Sequence, residues 1–228
     1  MACSSGTQTI AVGTELHNHT ASIHLWDVRA APTPRAHYQD LHSDDITALA
    51  FHASTPALLL SGATDGLVSV SDTRVPDEDE LTLQTLNHGA SIHAAGFLGG
   101  AGDVYALSHD ERFALYDVAE ERVTGDATQA FGDLRALLGC RYVAGVTPKT
   151  DGSGAIVGVG AQDRQSFELV FLARDQRGQS WMLDRDNNVG LPGAHGEDIV
   201  RAFCFFDEEQ LVFTAGEDGD IKAWRPGS

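Results

Sequence analysis

The segments HGEDIVRAFCFFDEEQLVFTAGEDGDIKAW (residues 195–224) and HSDDITALAFHASTPALLLSGATDGLVSVSD (residues 42–72) carry matching residue types at matching intervals. Nineteen positions after each histidine stands a hydroxyl residue, Thr214 or Ser61. Twenty-three positions after it begins an Asp-Gly pair, Asp218-Gly219 or Asp65-Gly66. A third copy opens at His88, where Ile92 and Phe97 repeat the offsets of Ile46 and Phe51, and Asp110 is followed six residues later by Tyr116, as Asp218 is by Trp224. A self-similar period of roughly 40 to 50 residues marks one supersecondary unit per repeat, each covering the apolar face of the next. Within the units, "ITALAF", "LVSVSD" and "DIKAW" alternate apolar and polar residues, and Gly and Asp punctuate the hairpins between them. The repeat is therefore built of short antiparallel strands, and the fold class is all-β.

Composition narrows the functional classes. The 228 residues hold 15 basic against 33 acidic side chains, a formal charge of -18. With only Lys149 and Lys222 as lysines and the arginines scattered, there is no basic patch to meet a phosphate backbone, so direct nucleic-acid binding is not expected. The longest apolar runs, such as "ALLL" at 57–60, are too short to cross a bilayer, and the first residues lack the basic start of a leader peptide. Cys3, Cys140 and Cys204 are odd in number and far apart, which predicts free thiols and an intracellular location, nucleus or cytoplasm.

The repeat resembles the WD-repeat family of β-propellers. Trp26-Asp27 in "IHLWDVR" is a literal WD dipeptide, and Trp224 in "IKAWR" stands in the equivalent place. The resemblance implies four-stranded blades and, in each, a buried hydrogen-bond chain of His, Ser or Thr, Asp and Trp. The chemistry suits such a chain: an indole only donates, a carboxylate only accepts, and hydroxyl and neutral imidazole do both. The last repeat has all four members, His195, Thr214, Asp218 and Trp224. In the repeat from His42, Ser61 and Asp65 match, but Ser71 replaces the Trp; in the repeat from His88, Ala106 replaces the hydroxyl and Tyr116 the Trp. Because the chain contains Ser, His and Asp, a hydrolase must be weighed. Ser61 lies inside a strand, "LLLSGATD", with no GxSxG elbow to expose it, so structural pairing is the expected role.

About five blades are expected, at approximately 2–41, 42–87, 88–140, 141–194 and 195–228, forming a partial β-propeller over 1–228. The first has its innermost strand missing or reduced to "ACSS", and the last lacks its outer strand. The fourth is degenerate, with "AIVGVGAQ" and "FELVFLAR" as central strands and "VTPKTDGSG" (146–154) as an extended hairpin loop. Five motifs in order resemble one branch of the family across essentially all 228 residues, which implies that roughly two blades would precede this segment in such proteins.

The expected function is a non-catalytic protein–protein interaction scaffold. The alternative is a propeller-fold hydrolase or metal-dependent enzyme, which would gather polar ligands from the innermost strands; only His93 and Arg201 are clear ionisable candidates there. No cofactor, metal, membrane or small-molecule substrate is expected. Candidate partner-binding residues are His17 and His19 on the hairpin "TELHNHTAS" (14–22), Asp44, Asp45, Glu197 and Asp198 at the blade entrances, and Glu111 in a neighbouring hairpin. Further acids, 77–80, 120–121 and 207–209, fall in loops of the opposite face. Basic proteins are the favoured partners of such clusters.

Overall fold

In the computed structural model, the described residues are 1–30, 32–99, 102–118, 126–175, 177–178, 180–206 and 208–225. They form two compact units, Met1–Gly132 and Asp133–Ser228.

The first unit holds three antiparallel sheets. Sheet 1 is β1 (Ala2–Ser4), β2 (Thr9–Gly13), β3 (Ile23–Asp27) and β4 (Ala36–Tyr38), in that order. "ACSS" thus supplies a three-residue innermost strand, with Cys3 opposite Ile10. Sheet 2 is β5 (Ile46–Phe51), β6 (Leu58–Ala63), β7 (Leu67–Asp72) and β8 (Thr82–Asn87). Sheet 3 is β9 (Ile92–Leu98), β10 (Asp103–Ser108), β11 (Arg112–Asp117) and β12 (Gln129–Asp133). In the second unit, helix α1 (Leu134–Leu138) leads into sheet 4, formed by β13 (Tyr142–Pro148), β14 (Gly154–Ala161), β15 (Ser166–Arg174) and β16 (Trp181–Pro192). Sheet 5 has three strands among the described residues: β17 (Val200–Phe206), β18 (Leu211–Gly216) and β19 (Ile221–Trp224).

One sequence expectation needs correction. Much of 146–154 is strand, because the Val146, Thr147 and Pro148 positions pair with Val157, Ile156 and Ala155, leaving only 149–153 as the turn. The Pro ends the strand, where a missing N–H costs least.

Sheet-on-sheet packing explains the apolar runs. Successive residues of a strand face opposite sides, so a sheet covered on both sides needs apolar residues at both parities. In β6, Leu59 enters the core shared with Ile23, Leu25 and Tyr38 of sheet 1, while its neighbour Leu60 enters the core shared with Ile92, Phe97 and Val104 of sheet 3. Both leucines are at most 1 % exposed. In the second unit the corresponding core joins Phe167 and Leu169 of sheet 4 to Val200 and Val212 of sheet 5. There Gly158 makes room for the Phe203 ring; a Cβ would lie 2.7 Å from its Cδ1. The Asp-Gly pairs sit in the turns after β6 and β18, where Gly66 and Gly219 have φ of 84° and 80°, a region that favours glycine.

Candidate functional site

Each repeat histidine stands on the loop before an innermost strand; the His42 and His195 rings reach the second strand of their own sheets, and the His88 ring reaches the third. In sheet 5, His195 Nδ1 lies 2.7 Å from Asp218 Oδ1 and its Nε2 lies 2.8 Å from Thr214 Oγ1. Trp224 Nε1 donates to the same hydroxyl at 2.9 Å. The carboxylate only accepts, so His195 donates its Nδ1–H to Asp218, and in the Nδ1–H tautomer Nε2 accepts from the Thr214 O–H. Accepting from the imidazole holds the Asp218 carboxyl down to about 2, helped by the Asp220 amide and Lys222.

Sheet 2 repeats this arrangement without the indole. Ser61 donates to His42 Nε2 at 2.8 Å, and His42 Nδ1 faces Asp65 at 3.2 and 3.4 Å. Burial lowers the His42 pKa, against the opposing pull of Asp65. Ser71, in the Trp position, is 1 % exposed, and its hydroxyl finds no hydrogen-bond partner. The looser imidazole–carboxylate contact has a steric counterpart. Sheet 2 has Ala63 two residues after Ser61, where sheet 5 has Gly216 after Thr214. A Cβ on Gly216 would stand 2.6 Å from His195 Cγ and 3.0 Å from Asp218 Oδ1.

Sheet 3 rewires the chain. With Ala106 at the hydroxyl position, Tyr116 Oη lies 2.9 Å from His88 Nδ1, and His88 Nε2 lies 3.2 Å from the Arg112 carbonyl. A carbonyl only accepts, so this imidazole carries its proton on Nε2, the reverse of His42 and His195, and Tyr116 donates. Burial pushes the Tyr116 hydroxyl up to about 12, with a contribution from Asp126. Asp110 accepts from Ser108 and pairs with Arg112. In sheet 1 the literal WD dipeptide has no such chain. Trp26 pairs with Ile10, which puts Val12 at the hydroxyl position, and the indole donates instead to the Pro32 carbonyl at 3.3 Å.

The Ser61–His42–Asp65 geometry has the order of a catalytic triad, yet Ser61 and Thr214 are each 1 % exposed. A nucleophile must reach substrate and face oxyanion donors. As built, these groups fasten the loop before the innermost strand to the strand behind it, which is the work of a clamp.

The other candidates are placed as follows. His17 and His19 are exposed on a hairpin whose tip residues Asn18 and His19 have φ of 51° and 65°, with His17 and Thr20 exchanging backbone hydrogen bonds. The Asp45 carboxylate accepts from the Leu16 amide at 2.6 Å and ties that hairpin to sheet 2. Asp44 accepts from the Asp45 amide. Glu111, at φ 65°, occupies the turn position that glycine holds in sheets 2 and 5. Glu197 and Asp198 are exposed beside buried His195. His93 packs on the His109 ring at 5.1 Å, and Arg201 is paired with Glu217. Of the acids at 77–80, Glu78 accepts from the Gln39 and Asp40 amides; Glu120, Glu121 and Asp207 lie outside the described residues. Among the described residues no group of three or more His, Cys, Asp or Glu could hold a metal ion, and no helix is long and apolar enough to cross a membrane.

A recurring feature escaped the sequence reading. Asp27-Val28-Arg29, Asp72-Thr73-Arg74 and Asp133-Leu134-Arg135 each fold so that the carboxylate accepts from the Arg amide and guanidinium two residues on. The Asp-x-Arg spacing after "LW" and "VS" was its visible signal.

The profile described as "WD domain, G-beta repeat" matches residues 33–72 and 189–225, the segments carrying Ser61–His42–Asp65 and the complete sheet 5 chain. The chain belongs to the WD-repeat family. WD-repeat relatives align along most of it. An uncharacterized WD repeat-containing protein of Saccharomyces cerevisiae is 32% identical over 94% of this chain and 53% of its own length. One of Schizosaccharomyces pombe is 35% identical over 94% and 66%. The WD repeat-containing protein 89 homolog of Dictyostelium discoideum is 36% identical over 80% and 49%. The chain thus spans about half to two thirds of the length of these curated relatives. A chain in the crystal structure of the mitotic checkpoint complex shares the fold, with a TM-score of 0.68 at 19% identity, over 97% of this chain and 60% of that one. The sheets described above are blades of the all-β WD-repeat propeller fold.

Proposed function

We propose that this chain is a non-catalytic, intracellular scaffold whose acidic loops receive basic segments of other proteins. The observation that carries this reading is the pairing of display with rigidity at the entrance to sheet 5. Glu197 and Asp198 are exposed, and three residues or fewer away His195 is locked by Asp218 and Thr214. Charges on a base already held in place lose little freedom when a partner arrives. Family membership supports an interaction role, and the excess of 33 acidic over 15 basic residues sets the sign of the preferred partner. Asp44 offers the corresponding acid at sheet 2, while Asp45 is already engaged by Leu16. The free thiols of Cys3, Cys140 and Cys204 suit a reducing compartment.

The test is binding of a labelled oligo-arginine peptide to the chain and to a variant with Asp44→Asn, Glu197→Gln and Asp198→Asn, across a salt series. Weaker binding by the variant, with a shallower salt dependence, supports the reading. Equal affinity and an equal salt slope overturn it.

A further inference from the structure

Three of the seven prolines follow a threonine: Thr33-Pro34, Thr55-Pro56 and Thr147-Pro148. A kinase that selects proline after the acceptor hydroxyl must take both residues into its cleft, so the dipeptide has to stand clear of the fold. Two of the three do not. Thr147 lies in the β13–β14 ladder opposite Ile156. Pro56 is packed under the turn after β1: its carbonyl accepts from the Ser4 and Thr7 hydroxyls, and a Cβ on Gly6 would stand 2.8 Å from its ring. Thr33 and Pro34 are both exposed, in the loop 28–35 that joins β3 to β4. That loop is pinned on either side of them, by Trp26 donating to the Pro32 carbonyl at 3.3 Å and by the Arg35 amide donating to the Leu25 carbonyl at 2.7 Å. The proline disfavours helical backbone at Thr33 and biases it toward an extended form. Charge singles out the same loop. Residues 28–38 contain Arg29, Arg35 and His37 and no Asp or Glu, in a chain with 33 acidic residues. Arg29 is engaged by Asp27. Arg35 is exposed, and among the described residues no carboxylate pairs with its guanidinium.

We propose that Thr33 is a phosphorylation site for a proline-directed protein kinase, and that Arg35 receives the phosphate. The kinase transfers the γ-phosphoryl group of ATP to Thr33 Oγ1. A bond forms between the γ-phosphorus and Oγ1, the bond to the β–γ bridging oxygen breaks, ADP leaves, and the hydroxyl proton passes to the kinase's catalytic carboxylate. The phosphothreonine carries a charge of about -1.5 to -2 and three strong acceptor oxygens. Placed among acids it would be repelled; here the Arg35 guanidinium, two residues on, offers it charge-assisted hydrogen bonds. This site is separate from the acidic loops proposed above and does not depend on them.

The test incubates the folded 228-residue chain with ATP and, in parallel, a purified cyclin-dependent kinase and a purified mitogen-activated kinase, and locates phosphate by fragmentation mass spectrometry. The expected result is one phosphate, on Thr33, at a rate that Pro34→Ala lowers about tenfold or more. Thr33→Val abolishes it, and Thr55→Val leaves it unchanged. Thr33 and Pro34 are exposed, so their variants keep the fold, and unchanged circular dichroism is the check. Phosphorus NMR of the product reads the pairing: the second pKa of the phosphate falls below its ordinary value of about 6, and Arg35→Gln returns it there. An unmodified Thr33 in the folded chain, phosphate on Thr55 or Thr147 in its place, or indifference to Pro34→Ala overturns the kinase site. A phosphate pKa at its ordinary value, or a lowered one that Arg35→Gln leaves in place, overturns the Arg35 contact.

Discussion

Trp224 donates its indole N–H to Thr214 at 2.9 Å, and through that hydroxyl it is connected to His195 and Asp218. The connection predicts non-additive energetics. Trp224→Phe removes one hydrogen bond, worth about 1 kcal/mol beyond the lost ring area. Thr214→Val orphans the buried His195 Nε2, at a cost of about 1 to 3 kcal/mol. In a urea-unfolding cycle the double variant should lose less than the sum, with a coupling of about 0.5 to 1.5 kcal/mol. Simple additivity would show that the three groups do not act together.

A methyl group at position 216 should loosen the sheet 5 clamp toward the sheet 2 geometry. Gly216→Ala places a Cβ against the His195 ring and the Asp218 carboxylate, and overpacking of this kind costs about 1 to 3 kcal/mol. The expected signature is lower stability together with an upfield-shifted or broadened His195 Nδ1–H resonance. An unaltered resonance and unaltered stability would show that the ring has room to spare.

Sheet 2 carries a correctable flaw. Ser71 is buried with a hydroxyl that has no hydrogen-bond partner, so Ser71→Ala should stabilise the protein by about 1 kcal/mol. A lower urea midpoint for this variant would mean that the hydroxyl has a partner in solution.

Acidification should weaken the fold in two windows. His24, His42, His52 and His88 all have pKa values lowered by burial from the ordinary 6.5. Between its folded and unfolded pKa each histidine holds more protons unfolded than folded, so stability rises with pH there. Their contribution is complete above about pH 6.5 and is lost as pH falls below it. Asp218, depressed from 3.8 to about 2, contributes above the higher value and loses that contribution as pH falls toward the lower. Urea midpoints should decline from about pH 7.5 to about pH 5.5, and His42→Gln should flatten that slope. A flat wild-type profile would contradict the buried, neutral assignment.

How far the sequence could be read depended on whether a residue's partners follow from its own chemistry. His195, Thr214, Asp218 and Trp224 were legible because their donor and acceptor valences close on one another at fixed spacing. Trp26 was not. The dipeptide is intact, but the role of its indole depends on the residue two beyond its ladder partner Ile10, and that residue is Val12. Tyr116 looked like a loss, yet it reaches His88 without the intervening hydroxyl. Asp45 read as surface charge because its partner, the Leu16 amide, lies 29 residues away in the chain. The strands themselves were clear wherever both faces are packed, as in "LLLSGA" of β6, and blurred where a proline sits in a strand, as at Pro148.

The hairpin at 14–22 is sealed below its tip. Thr14 and Ser22 bond across its base, Asp45 holds Leu16, and only Asn18 and His19 make the bend. Lengthening a loop is entropically cheap, about 0.6 kcal/mol per doubling, and nothing beyond the Leu16 anchor need move to accommodate it. The bend is thus a permissive splice point, where an epitope or a reporter group can be grafted without disturbing the blades beneath.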